Sequence, residues 1–159
     1  MHQRVHIHGL VVDPLTERPI LVLKGDTDDR VLPIWIGQFE ANAIALRQEK
    51  IQVPRPMTHD LLCGMLARVG TPVKEVLIRD LQDNTYYADI VLLNGKDEIR
   101  VDARPSDAVA LALRVGAPIF VEEDLFERVC DPDDAHGGAE QLLRWLDQLS
   151  PDELGTYEM

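Results

Sequence analysis

Two acids and an arginine crowd one short stretch, Asp102-Ala103-Arg104-Pro105-Ser106-Asp107, and Glu40 sits in a similar setting earlier in the chain. Carboxylates of this kind suit Mg²⁺ or Mn²⁺, hard cations that neutralise charge on a reacting phosphate and lower the pKa of bound water. Arg104 has the planar fork that grips a phosphate through two hydrogen bonds. Glu40, Asp102 and Asp107 are therefore candidate metal ligands or general bases, and Arg104 a candidate phosphate clamp. A plainer reading competes with this one: Asp107 complements a helix dipole and Arg104 pairs with Asp102 at a structural corner.

A second cluster, Arg55-Pro56-Met57-Thr58-His59-Asp60, puts a histidine and an acid in the first turn of a helix. An anion is welcome there, and His59 could serve as a general base. Thr58 as the cap and Asp60 as the dipole partner account for the same residues without chemistry. His6-x-His8 has a spacing that can chelate a metal, but no third ligand accompanies it. Trp35 and Tyr86-Tyr87 could stack on bases, although strand aromatics more often pack. Phosphate-binding loops, dinucleotide fingerprints, nucleophile elbows and metalloprotease motifs are absent.

The elements that must carry these residues follow from periodicity and turn chemistry. Residues 5–12, 20–24 and 31–36 read as three strands, with Val5, Ile7, Gly9 and Val11 on one face of the first and His6, His8, Leu10 and Val12 on the other. Glu40 to Leu46 is helical in composition. Pro54 and Pro56 interrupt the chain before a helix over residues 58–69, whose apolar positions are Leu62, Met65, Leu66 and Val69. Residues 73–81 and 86–93 form a hairpin about Asp83-Asn84, and Asn94-Gly95 leads into a further strand ending at Ala103. Pro105 opens the next helix, Gly116 ends it, and Ile119-Phe120-Val121 is a short strand. Residues 132–138 read as a joint, followed by an amphipathic helix over Leu142, Leu143, Trp145, Leu146 and Leu149, and by a tail from Asp152 that looks disordered or partner-dependent.

Sliding the chain by 67 residues lays Trp35-Ile36 on Asp102-Ala103, and Glu40 to Leu46 on Asp107 to Leu113. The expected architecture is α+β: two duplicated βββα units, a mostly antiparallel sheet, helices packed upon it and a C-terminal helix. Glu40 and Asp107 then occupy equivalent first-turn positions. Alanines at 41, 43 and 45, and again at 108, 110 and 112, give both helices small faces for close packing.

Composition bounds the rest. A chain of 159 residues fits one folded domain with a real core, expected over residues 1–130, with an acidic appendage over 131–159. The net charge of −12 argues against broad duplex binding, although much of it comes from the acidic C-terminal region. Cys63 and Cys130 fit neither a disulfide framework nor a zinc site. There is no apolar run of membrane-spanning length and no secretory leader, so a cytoplasmic protein without membrane attachment is expected.

Several segments taken together are more specific than any spacing. Leu32-Pro33-Ile34-Trp35-Ile36-Gly37 with Glu40-Ala41, Arg55-Pro56 with Thr58-His59-Asp60, and Asp102-Ala103-Arg104-Pro105-Ser106-Asp107-Ala108 occur in that order, with Gly9-Leu10 before them and Gly116-Ala117-Pro118-Ile119 after. In these the chain resembles the bifunctional nuclease family, over about residues 3–128. The resemblance implies a self-associating domain that cleaves DNA and RNA. The residues it favours for catalysis are Glu40, His59, Asp60, Asp102 and Asp107, with Arg55 and Arg104 on substrate and Glu40, Asp102 and Asp107 on a divalent cation, Mg²⁺ or Mn²⁺. The leading expectation is a metal-assisted nuclease of low sequence specificity. The rival is a non-catalytic regulatory module that binds a small anion or a protein partner.

Overall fold

The computed structural model describes residues 1–129, 144–146, 148 and 149. The expected joint over 132–138, Leu142, Leu143, Cys130 and the tail from Asp152 lie outside the described residues.

Three strands, β1 (His2–Val12), β2 (Pro19–Gly25) and β3 (Val31–Trp35), form an antiparallel meander that runs into helix α1 (Gln38–Gln48). Helix α2 (Thr58–Arg68) links this unit to a second meander, β4 (Val73–Gln82), β5 (Thr85–Asn94) and β6 (Asp97–Ala103), which runs into α3 (Pro105–Val115). Strand β7 (Ile119–Glu122) and the short α4 (Leu125–Arg128) follow. One seven-stranded sheet results, in the order β3-β2-β1-β7-β4-β5-β6. β7 is the seam: it pairs antiparallel with β1 and parallel with β4, so the two meanders fan outward from it in opposite directions. The α+β class and the mostly antiparallel sheet are as expected. The 67-residue shift maps α1 onto α3 end to end.

Local chemistry accounts for the turns. Asp83 and Asn84 both have positive φ, as a two-residue hairpin of the primed type requires. At the next hairpin Asn94 still pairs with Asp97, so Gly95, at φ +65°, and Lys96 make the turn. The middle strand of the first meander, β2, is buried on both faces. Leu21 and Leu23 lie in the main core, which also holds the alanine faces of α1 and α3, while Ile20 and Val22 pack on the far side with Val11 and Leu146. The near-continuous run Ile20-Leu21-Val22-Leu23 reflects that two-sided burial.

Two expectations need correction. The register of β1 shifts between Ile7 and Gly9, and this bulge reverses the alternation: Leu10 joins Val5 and Ile7 in the main core, while Val11 turns to the opposite face. Thr58 is the first residue of α2 rather than its cap, because the Asp60 carboxylate reaches back to the Met57 N–H at 2.9 Å. Helix α2 also leaves its apolar stripe uncovered. Leu61, Leu62, Met65 and Val69 are exposed, and His59 is the buried residue of this helix.

Candidate functional site

The first turns of α1, α2 and α3 converge, and each delivers one side chain to the same place. Glu40 is the third residue of α1, His59 the second of α2 and Asp107 the third of α3. His59 Nε2 lies 2.9 Å from Asp107 Oδ1. Arg104 Nε donates to Asp107 Oδ2 at 2.9 Å, and its Nη2 donates to Glu40 Oε1 at 2.8 Å. The two carboxylates related by the repeat thus meet within one chain, through Arg104. Its counterpart in the repeat, 67 residues earlier, is Gly37, the residue before α1. Any side chain at residue 37 would overlap the Glu40 carboxylate. One copy of the motif makes room and the other supplies a cation.

Burial alone pushes the Asp107 carboxyl up, but the hydrogen bonds from His59 and Arg104 outweigh it and hold the group below its ordinary value. An ionised carboxylate only accepts, so His59 Nε2 must carry the proton and a neutral imidazole keeps its lone pair on Nδ1. Nδ1 has no hydrogen bond among the described residues, and no buried side-chain nitrogen or oxygen among them lacks one; Nδ1 therefore meets solvent. Arg104 is 64% exposed along its side chain, and its Nη1 edge is unengaged among the described residues. A histidine and a forked cation are thus tied to the same carboxylate, Asp107. Because the folded carboxylate binds protons more weakly than the unfolded one, Asp107 contributes stability above its ordinary pKa of 3.8, and this contribution is lost as pH falls below that value. Acid unfolding followed by circular dichroism is expected to begin at a higher pH in wild-type protein than in Asp107→Asn, measured relative to each protein's neutral-pH stability.

Asp60 stands beside this group. The Met57 N–H is the main cause of its lowered pKa; burial opposes the shift, and Arg114 adds to it through a 2.7 Å bond from Nε. Arg114 also donates to the Ala110 and Ala43 carbonyls, so one nearly buried guanidinium ties α1, α2 and α3 together. Sequence reading passed over Arg114, whose only local signal was a basic residue in a last helical turn.

Asp102 lies elsewhere. Strand alternation turns Ala103 toward the helices and Asp102 to the opposite face, where Arg79 Nη2 bonds it at 3.3 Å alongside the buried Asp89. The expected pairing of Arg104 with Asp102 is therefore replaced by Arg104 with Asp107 and Glu40. Glu40, Asp102 and Asp107 do not gather round one point, and among the described residues no three His, Cys, Asp or Glu side chains are arranged to hold a metal ion. His6 pairs with Asp26 at 2.7 Å on β1. Trp35 donates to Asp13, and Tyr87 lies under Arg79. Trp35 and Tyr86 nevertheless line a hollow of about 270 Å³ with Arg18 and Arg104, next to the first turn of α3. Arg55 lies on the other side, in a larger cleft beside Asp60. Phe39, 85% exposed in the first turn of α1, was not singled out from sequence.

No described helix is long and apolar enough to cross a membrane. Comparison with known proteins matches residues 21–132 to the model of the bifunctional nuclease domain. An uncharacterized protein of Mycobacterium tuberculosis is 44% identical over 94% of this chain and 96% of its own length. Bifunctional nuclease 1 of Oryza sativa is 29% identical over 69% of this chain, and that of Arabidopsis thaliana 28% identical over 67%; each alignment spans about a third, 34%, of the plant protein. The family model covers most of the chain, and the matched range includes all three converging helix starts, so the protein belongs to the bifunctional nuclease domain family.

Proposed function

We propose that the protein hydrolyses phosphodiester bonds of DNA and RNA with little sequence preference, at the meeting point of α1, α2 and α3. The observation that carries this reading is the chain of bonds from His59 through Asp107 and Arg104 to Glu40, with His59 Nδ1 and Arg104 Nη1 both left open. His59 Nδ1 takes a proton from a water as that water's oxygen bonds to phosphorus. Asp107 holds the ring in the required tautomer and stabilises the imidazolium that forms. Arg104 Nη1 donates to a non-bridging oxygen, where charge builds as the phosphorus–oxygen bond to the leaving group breaks. The leaving oxygen then takes a proton from the imidazolium or from water. Trp35 and Tyr86 offer a surface for the neighbouring base.

The donor set does not fit a three-carboxylate metal site, so no step here passes through a metal. Dependence on Mg²⁺ or Mn²⁺ is read out by experiment. Highly purified protein, stripped with chelator and resupplied with either cation, is given labelled DNA and RNA beside an Asp107→Ala control. Cleavage lost in the variant supports the site, and cleavage that persists equally in it places the activity elsewhere. No cleavage under any condition favours the regulatory-module reading, to which the net charge of −12 also leans.

Self-association belongs to the same proposal. Leu61, Leu62, Met65 and Val69 form an uncovered apolar stripe on α2, the helix that carries His59, and a second copy of the chain would bury it. Light scattering is expected to give a multiple of 17.9 kDa for wild-type protein and the single-chain mass for Leu61→Asp/Met65→Asp. A single-chain mass for the wild type would end the idea.

A further inference from the structure

A cleft of about 830 Å³ opens beside Asp60, where the ends of α1 and α3 face the loop that leads into α2. Its walls are apolar: Leu46, Ile51, Val53 and Leu113 line it. Its charges are mostly of one sign. Arg114 and Asp60 cancel each other, but Arg47, Lys50 and Arg55 have no ion pair among the described residues. Arg47 does donate to the Leu113 carbonyl at 3.4 Å, but three cations without an ion pair in one cleft stand out on a chain of net charge −12.

The backbone at Lys50 adds a separate reason to think a cation is wanted there. All three long helices end with the same reversal, in which an N–H five residues on bonds back to the last turn: Ile51 to Leu46, Thr71 to Leu66 and Ala117 to Ala112. The reversal needs a left-handed residue. After α2 and α3 that residue is glycine, Gly70 at φ +69° and Gly116 at φ +73°; after α1 it is Lys50, at φ +54°. A lysine there accepts a conformation that glycine adopts freely, and it adds an ammonium group to the cleft's charged lining.

We propose that this cleft binds the phosphates of single-stranded nucleic acid leading into the His59–Asp107 site, an inference that rests on the nuclease reading above. Arg47, Lys50 and Arg55 neutralise the backbone, and the aliphatic walls take sugars and unpaired bases. A duplex keeps its bases stacked inside and would offer those walls nothing, while the protein's overall charge repels it. The route is short. Asp60 lines the cleft and His59 precedes it in the chain; Arg114 and Asp107 are seven residues apart on α3, about 10 Å of helix rise, or roughly three stacked nucleotides.

The test is fluorescence anisotropy with a fluorescein-labelled oligodeoxythymidine of about a dozen nucleotides. Every protein in the binding assay carries His59→Gln, so that the strand survives, and cleavage is read separately with His59 in place. Adding Arg47→Gln/Lys50→Gly/Arg55→Gln is expected to weaken binding by about tenfold or more and to lower the salt-dependence slope by about 2. Lys50→Gly alone is expected to weaken binding a few-fold while raising the melting temperature by about 2 °C, which separates a lost contact from a damaged fold. Unchanged affinity and salt slope in a triple variant that melts normally would overturn the proposal. So would equal binding of the same sequence as a duplex, or competition by thymidine monophosphate as strong as by the strand. Binding that depends on the cleft without cleavage by the His59 protein defeats the nuclease reading and leaves the cleft standing. Cleavage that depends on His59 alongside cleft-independent binding does the reverse.

Discussion

His59→Gln is expected to lower the nuclease turnover number by roughly 10²–10⁴-fold, the usual worth of a positioned general base, with a much smaller change in substrate binding. Glutamine can still donate from its amide to Asp107, so the contact at 2.9 Å has a substitute. What it lacks is a basic lone pair where Nδ1 meets solvent. Asp107→Asn tests the same unit from behind. It removes the charge that stabilises an imidazolium and one of the two carboxylates that hold Arg104. Because the two residues act together, the double variant is expected to be little slower than the worse single one. Steady-state kinetics on labelled single-stranded DNA, with melting curves for each variant, decides this. A His59→Gln protein with full activity after rigorous purification would remove His59 from the mechanism.

Arg114→Met is expected to cost about 3–5 kcal/mol of stability, the range for breaking a buried ion pair by removing one partner. In a chain of this length that corresponds to a fall of roughly 10 °C or more in melting temperature. The Arg114 side chain is 6% exposed, and its loss leaves the Ala43 carbonyl without its donor inside the junction and removes the cation paired with Asp60, itself 33% exposed. Methionine roughly fills the volume and satisfies neither. Arg104 holds two carboxylates where Arg114 holds one, but in water, and Arg104→Met is expected to cost about 1 kcal/mol or less while still impairing cleavage. Thermal melting of the two variants side by side checks the contrast. Equal, small losses would mean that Arg114 does not hold the three helices together. The two arginines divide the labour by depth: one organises the helices, the other is free to meet a ligand.

What the sequence determined by itself is what depends on neighbours a few residues away. The strand segments, the Asp83-Asn84 turn, Pro105 at a helix start and Gly116 at its end are set by local sterics and hydrogen bonding, and they come out as read. The 67-residue shift is legible for the same reason, since two copies of a locally specified βββα unit must fold alike. It also identified Glu40 and Asp107 as equivalents before anything showed that they meet. Tertiary structure decided everything that rests on parity or on distant partners. One bulge in β1 reassigned Leu10 and Val11, and one step of alternation sent Asp102 to the far face of the sheet. The pairing of β7 with both β1 and β4 closed two meanders into one sheet. His59 reaches Asp107 across 48 residues, and Arg114 reaches Asp60 across 54. Such contacts exist only once the sheet has brought three helix starts together, and no spacing along the chain encodes them. The charged corner at Asp102–Asp107 was visible as a string of residues; which of its acids face the histidine was settled by the fold.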